Sequence, residues 1–363
     1  MERFELKWNY TNKIVNDLML INKSKEIVDL LELPISIEEE LKKEVIAKRV
    51  HYSTKIEGNT LNLKEVKRVI ENNDISHERN TLEVRNYYKA LLFLNDEAER
   101  NNKISKELIL KVHNLVSGKN IGYKSDFREG QNSVIDTLSN TIVYLPPEAK
   151  DVDSLINQMI EEFNSNTDIP IPIRAGIFAY EFVTIHPFWD GNGRCSRLLA
   201  TYILKAYGYD LNGFYVMEEF YDRKLDDYYN SLQMNLHHNF YFGRNSADIT
   251  EWPEYFVGIM ASTFDMVGEK VKSIYEESKD NISIIDALDK RERWVANYIC
   301  NNGKIKAKDI ATHFKINLDT ANNWVKKWIE NDFLVKVCND KVRNVDYTLT
   351  EKYSLELLKK HLK

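Results

Sequence analysis

The chain of 363 residues is 43% hydrophobic, 11% aromatic and 29% charged, enough apolar material for two or three packed domains and too much for a disordered, collagen-like or fibrous chain. Seven Pro and 13 Gly are few for this length, which argues against a turn-rich β-sandwich and predicts a mostly α-helical fold. The net charge of −6 offers no global field to a polyanion, yet it is uneven: residues 288–363 hold 16 Lys and Arg against 10 Asp and Glu, net +6, and residues 1–287 hold 34 against 46, net −12.

Cys195, Cys300 and Cys338 stand apart without CxxC spacing, so neither a disulfide framework nor a zinc site is expected. Charges interrupt the apolar residues of the N-terminal MERFELKW, and no stretch approaches 18 uncharged apolar residues. These features predict a cytoplasmic chain without a signal peptide or membrane-spanning helix.

In chain order, Ser36-Ile-Glu-Glu39 reads as a capping box opening a helix over 36–57 that Gly58 stops. Asn62 with Glu65 opens a second helix, and Ser105 opens a third carrying Leu108, Ile109, Val112 and Leu115. Between 120 and 147, Gly122, Gly130, a β-branched alternation and Pro146-Pro147 predict an irregular loop with a short hairpin. Helical spacing resumes over 152–163, 173–185, 198–207, 223–236 and 252–275. Residues 276–288 read as a linker. Beyond it come helices over 291–301, 307–314 and 319–330, then strands over 333–337 and 342–349 around Asn339-Asp340-Lys341, the order of a winged helix-turn-helix. A helical packing module that never touches nucleic acid fits the same order. Asp319 opposes a phosphate contact, whereas Asn322, Asn323, Lys326 and Lys327 favour one.

The densest signal is His186-Pro-Phe-Trp-Asp190-Gly-Asn-Gly-Arg194-Cys-Ser-Arg197. Pro187 ends one helix at His186, and the next begins near Gly193. Glycines at a helix start let several backbone N–H groups face one ligand, and the positive dipole end reinforces them, so the loop reads as a phosphate cradle. Arg194 and Arg197 in a first turn oppose the dipole, which makes sense if an anion sits between them. Asp190 offers a hard oxygen for Mg²⁺, and His186 at the opposite lip can accept a proton. The loop is neither a P-loop nor a Rossmann loop, because GxxxxGK(S/T) and a βαβ GxGxxG are both missing.

These twelve residues fill every fixed position of HPFx(D/E)GNGRxxR, and the chain resembles the Fic family. Phe127-Arg128, Gln131-Asn132, a flap over 141–147 ending in Tyr-Leu-Pro-Pro, and Tyr228-Tyr229 extend the likeness; Tyr180 departs from it, since many relatives carry His there. The resemblance covers about 105–240 at its core and most of 1–275 in all; with the element order beyond it, the expected fold is all-α: an N-terminal helical region (1–104), a Fic-type core with a hairpin flap (105–275), the linker (276–288) and the C-terminal winged-helix module (289–363). The resemblance also implies transfer of AMP from ATP·Mg²⁺ to a Ser, Thr or Tyr hydroxyl of a protein. His186 would be the base, Asp190 the Mg²⁺ ligand, Gly191, Asn192 and Gly193 the cradle, and Arg194 and Arg197 the partners of the β and γ phosphates. Thr141, Ile142, Val143 and Tyr144 would align the target by strand pairing. Tyr229 would stack on adenine or serve as a core aromatic.

Ser53-Thr-Lys-Ile-Glu57-Gly58 matches the family's inhibitory pattern, (S/T)xxxE(G/N). Glu57 falls in the last turn of its helix, where the dipole disfavours a carboxylate, with no basic residue at 53 or 61; it calls for a cation elsewhere, and the resemblance names Arg197. Ser53, one turn earlier, is placed to orient that carboxylate. The expectation is a self-inhibited adenylyltransferase. Removal of AMP, use of another nucleotide, or a DNA-binding regulator with this core as a sensor are the alternatives. Self-modification, a homodimer and DNA contact through the C-terminal module stay open as partnerships.

Overall fold

The computed structural model describes residues 4–72, 78–100, 103–118, 125–136, 140–278, 288–337 and 345–355. They divide into two compact units, one built from Met1–Asp29 and Lys42–Glu269, the other from Leu30–Leu41 and Lys270–Lys363.

The first unit contains α1 (Asn12–Leu30), most of α2 (Ile35–Ile56), α3 (Leu63–Asn72), α4 (Arg79–Arg100), α5 (Lys106–Ser117), strands β1 (Val134–Asp136) and β2 (Thr141–Tyr144), then α6 (Ala149–Ser165), α7 (Ile171–Ile185), α8 (Asn192–Ala206), α9 (Met217–Arg223), α10 (Leu225–Gln233) and most of α11 (Glu251–Ser278). Local chemistry sets several of the boundaries. Asn62 Oδ1 accepts from the backbone of Lys64 and Glu65 while Glu65 Oε2 accepts from Asn62 N–H, a reciprocal cap on α3. Ser105 caps α5, which ends at Gly118 in the left-handed region, φ 56°.

The core is centred on α7 and α8. All of α7 but Ile171, Ile177 and Val183 is buried, as is all of α8 but Gly193, Lys205 and Ala206. A helix apolar on every side belongs in the middle of a domain. Here α7 packs on α6 and α8, while α4 and α5 cover α8. α11 closes over α7: Trp252 Nε1 donates to the Gly176 carbonyl at 2.6 Å, and the Phe256 ring would lie 2.9 Å from a Cβ at Gly176. The absent side chain permits this approach. Tyr180 is part of the same core, its ring 6.2 Å from that of Trp252.

Four boundaries differ from the sequence reading. α2 begins at Ile35, placing Ser36 inside the first turn, where it does not occupy the cap position. Of the run over 223–236 only Leu225–Gln233 is one helix: Arg223 ends α9, Lys224 breaks the chain at φ −132° and ψ 58°, and Met234 caps α10 in the left-handed region. α1, α4 and α9 are helices that the reading did not assign. α11 continues to Ser278, two residues into the expected linker, whose residues 279–287 lie outside the described ones.

The second unit runs α12 (Lys290–Asn302), α13 (Ala307–His313), α14 (Leu318–Glu330), β3 (Leu334–Val337) and β4 (Asp346–Leu349). Leu288, Val295, Ile299, Ile310, Val325 and Trp328 form its centre. The strands pair antiparallel, Leu334 with Leu349 and Val337 with Asp346. Asp289 and Glu292 cap α12 reciprocally, and Asn317 caps α14. Segment 30–41 joins this unit because buried Arg293 donates to the Leu33 carbonyl and pairs with Glu32 at 3.3 Å. The expected turn at 339–341, the start of the last strand at 342–344, and Cys338 lie outside the described residues. Among the described residues no helix is long and apolar enough to cross a membrane.

Candidate active site

The site forms where α7 stops and α8 starts. His186 caps α7 in the left-handed region, φ 50°, and Gly191 makes the second turn at φ 82°, so the chain reverses and α8 begins at Asn192. Asn192 Oδ1 accepts from Phe188 N–H at 3.0 Å and its Nδ2 donates to the Phe188 carbonyl at 2.8 Å, which fixes the loop from within. The first N–H groups of α8 have no acceptor inside the helix and face outward.

Both arginines are buried and each already holds a carboxylate; Arg194 lies in the first turn of α8 as expected, whereas Arg197, its sixth residue, lies in the second. Arg194 Nη2 donates to Asp190 Oδ2 at 2.9 Å, and Arg197 Nη2 donates to Glu57 Oε1 at 2.8 Å. The two side chains thus meet different carboxylates. The Asp190 carboxyl is exposed; partial desolvation works against its charge, but Arg194 and the Gly191 N–H prevail and hold it below the usual carboxylate range. For Arg197, burial opposes the charge and Glu57 outweighs it, so the guanidinium holds its proton more firmly than usual.

Glu57 stands one residue beyond the last residue of α2 rather than inside its last turn. Gly58 follows in the left-handed region, φ 89°, and buried Asn59 donates to the Asn80 carbonyl at 2.9 Å, securing the helix end. The carboxylate reaches over the cradle: a Cβ at Gly193 would lie 2.3 Å from Glu57 Oε1. Ser53 acts differently from the sequence expectation. Its Oγ accepts from Arg197 Nε and its carbonyl from Arg197 Nη2, both at 2.8 Å, so it positions the guanidinium and leaves Glu57 to be oriented by Arg197.

Burial first, then the positive charge of Arg128, depress the His186 pKa to about 4 and leave the ring neutral at pH 7. Tyr229 is exposed, whereas neighbouring Tyr228 is the core aromatic; burial of its hydroxyl and the Glu57 charge push the Tyr229 pKa up to about 12. β1 and β2 form an antiparallel hairpin with an irregularity between Val134 and Ile135. Thr141 and Ile142 are exposed, Val143 is half-buried, and Tyr144 turns inward to donate to the Thr184 carbonyl at 2.7 Å. Tyr144 therefore anchors the strand and offers no side chain to a partner.

Two supports carried no role in the sequence reading. Arg128, 3% exposed, donates to the carbonyls of His186, Gly130, Pro147 and Ile185, tying the end of α7 to both roots of the hairpin. His113 Nε2 bonds the Asp190 carbonyl at 3.0 Å, its Nδ1 meets Ser125 Oγ at 2.7 Å, and its ring stacks on Phe188 with centroids 3.6 Å apart. Phe127-Arg128 was visible as a family likeness. His113 sits within the apolar spacing of α5 and gave no signal.

A helical core thus gathers a neutral histidine, a carboxylate, two arginines and a helix N-terminus around one loop, the kinds of groups that phosphate chemistry uses. Residues 103–204 match the Fic/DOC family, so this chain carries a Fic/DOC domain there. It is 30% identical over 202 residues to "Protein adenylyltransferase Fic" of Nematostella vectensis, covering 54% of this chain and 44% of that protein. Over 167 residues it is 30% identical to "Protein adenylyltransferase fic-1" of Caenorhabditis elegans, covering 44% of this chain and 32% of the other. The chain thus spans less than half the length of these curated relatives. A Fic family protein from Desulfovibrio desulfuricans shares the fold with a TM-score of 0.60 at 22% identity, over 95% of this chain and 98% of that one. Fic-1 of C. elegans (residues 134–508) superposes with a TM-score of 0.54 at 22% identity, over 73% and 74%.

Proposed function

We propose that the chain is a protein adenylyltransferase held inactive by Glu57. His186 takes the proton of a target Ser, Thr or Tyr hydroxyl, the oxygen attacks the α-phosphorus of ATP, and the bond to the β,γ-diphosphate breaks as AMP is transferred. Arg194, Arg197 and the N–H groups of Asn192 and Gly193 neutralise the departing diphosphate, the Gly191 N–H being held by Asp190 Oδ1 at 2.7 Å. The exposed Thr141–Val143 edge pairs with the target backbone, and Tyr229 at the rim offers a face to adenine. The observation that carries the reading is the complete His186–Arg197 loop with the Glu57 carboxylate already bound to Arg197 at 2.8 Å, an internal anion in an anion's place.

Asp190 alone, exposed beside the cradle, fits Mg²⁺, which keeps waters and phosphates as most of its ligands and is held by one or two carboxylates. When bound there, the ion supplies charge neutralisation to the phosphates. Intact-mass spectrometry of Glu57→Gly incubated with ATP·Mg²⁺ and an extract tests the reading: an AMP adduct on the enzyme or a target is expected, and its absence from every protein overturns it. Since the Glu57 carboxylate borders the cradle, it is also placed to activate water for removal of AMP; loss of that removal in Glu57→Gly would select this second reading.

The second unit reads as a winged helix. Asn322, Asn323, Lys326 and Lys327 are exposed on α14, which suits duplex DNA. Salt-dependent retention of labelled duplex by the full chain is expected, and salt-independent or undetectable binding refutes it. The cytoplasm is the compartment this reading implies.

A further inference from the structure

Side-chain amides address the imidazole of His186, and one of them has an unused acceptor. Asn192 is fixed by its two bonds to the Phe188 backbone, so its remaining amide hydrogen faces the ring, with Nδ2 3.2 Å from Nδ1 and 3.4 Å from Nε2. Asn132, in the loop before β1, donates from Nδ2 to the Phe188 carbonyl at 3.0 Å, and the same nitrogen lies 2.9 Å from His186 Nδ1. Its Oδ1 is buried with no hydrogen-bond partner among the described residues. Buried amide oxygens are ordinarily satisfied.

With N–H donors on both sides, Nδ1 presents its lone pair to them and the single ring proton sits on Nε2. A ring in that form cannot take a hydroxyl proton at Nε2. A half-turn of the Asn132 amide reverses the arrangement: Oδ1 moves against Nδ1 and Nδ2 takes the place of the unsatisfied oxygen, while Nδ1 takes a proton from solvent and Nε2 returns its own to solvent, so the ring stays neutral and Nδ1–H donates to Oδ1. The Nε2 lone pair is then free. Phe188 keeps a donor throughout, because Asn192 still holds its carbonyl at 2.8 Å. The rotated oxygen lies close to that carbonyl, which favours the resting orientation until a proton on Nδ1 holds the rotated one.

We infer that Asn132 is a positioning residue that sets the tautomer of His186, resting with Nε2 protonated and rotating to make Nε2 the base. The inference rests on His186 being the base of the proposed transfer. The charged groups around the imidazole are Arg128, bonded to the His186 carbonyl, and Glu57 and Asp190 across the cleft. None of them supplies an acceptor to Nδ1 in the way Asn132 can.

The test uses the full chain with ¹⁵N-labelled histidine. Long-range ¹H–¹⁵N correlation spectra distinguish the two tautomers without turnover. The wild type is expected in the Nε2–H form, and Asn132→Asp, which can only accept, in the Nδ1–H form. In a Glu57→Gly background, Asn132→Leu should lower kcat about 10 to 100-fold while KM for ATP stays within about twofold. An identical His186 tautomer in the wild type and Asn132→Asp, or an unchanged kcat in Asn132→Leu, overturns the role. Failure of Glu57→Gly with Asn132 intact to transfer AMP refutes the transferase reading alone, because the spectra still report on Asn132.

Discussion

Replacing Glu57 by glycine removes the carboxylate bonded to Arg197 at 2.8 Å and leaves the guanidinium in place, since Ser53 still accepts from its Nε and Nη2. The Arg197 side chain is 5% exposed and that of Glu57 28%, so the bond is largely shielded from water. A charge-assisted hydrogen bond of this kind contributes about 1.5–3 kcal/mol. An arriving γ-phosphate must displace it to reach the same cation. At about 1.4 kcal/mol per decade, removing the competitor raises transfer about 10 to 150-fold at fixed ATP. Glu57→Gln, which keeps the shape and an acceptor but loses the charge, should fall between the wild type and glycine. Adding Arg197→Ala to Glu57→Gly should erase the gain, because donor and inhibitor share that guanidinium. Steady-state incorporation of α-labelled AMP by the four proteins is the assay. Glu57→Gly no faster than the wild type, with its melting temperature preserved, would refute the competition for Arg197.

Four further outcomes follow from the packing. The folded pKa of His186, about 4, lies below the ordinary value near 6.5, so the unfolded chain binds this proton more readily; the stabilisation is complete above about pH 6.5 and is lost as pH falls to about 4. Urea titrations should therefore show an acid loss about 3 kcal/mol smaller in His186→Leu than in the wild type, and parallel pH curves would contradict the buried neutral ring. Arg128→Met, which leaves the carbonyls at Gly130, Pro147, Ile185 and His186 without their donor, should cost on the order of 3 kcal/mol; a loss under about 1 kcal/mol in chemical denaturation would exclude the clamp. Gly193→Ala puts a methyl 2.3 Å from Glu57 Oε1, so its destabilisation in thermal melts should shrink sharply in a Glu57→Gly background, and equal losses in both backgrounds would disprove the contact. Gly176→Ala meets the Phe256 ring at 2.9 Å and should cost about 1–3 kcal/mol by the same melts, an effect that Phe256→Leu should relieve.

The shape of the loop could be read from sequence because it is local: Pro187 and Gly191 fix the turn and the helix start whatever packs around them. The Glu57–Arg197 pair spans 140 positions, and only the family pattern pointed to it. The part played by Ser53 was misjudged, because i,i+4 spacing favours its own helix neighbour while tertiary packing delivers a guanidinium to it first. α1 buries only Ile14, Ile21, Ser24 and Val28, too thin a stripe to register. α4 buries Thr81, Val84, Tyr87, Ala90, Leu91 and Leu94, a sound helical spacing that emerges once the tyrosine and alanine are counted as core. Asn132 and His113 act through bonds to distant backbone and ring atoms, for which a linear pattern has no counterpart.

Arg128 gathers the two roots of the hairpin, at Gly130 and Pro147, and the carbonyl of His186 onto one guanidinium. In the proposed transferase, recognition and reaction would share a common origin of coordinates. A peptide taking its register from β2 would be placed relative to Nε2 by that single planar group, whichever residues the hairpin presents. Changes between the roots can alter which sequences are accepted while leaving the distance from hydroxyl to base nearly constant. In such a layout the selection of substrates is free to diverge from one protein to the next, and the reach of the base is not.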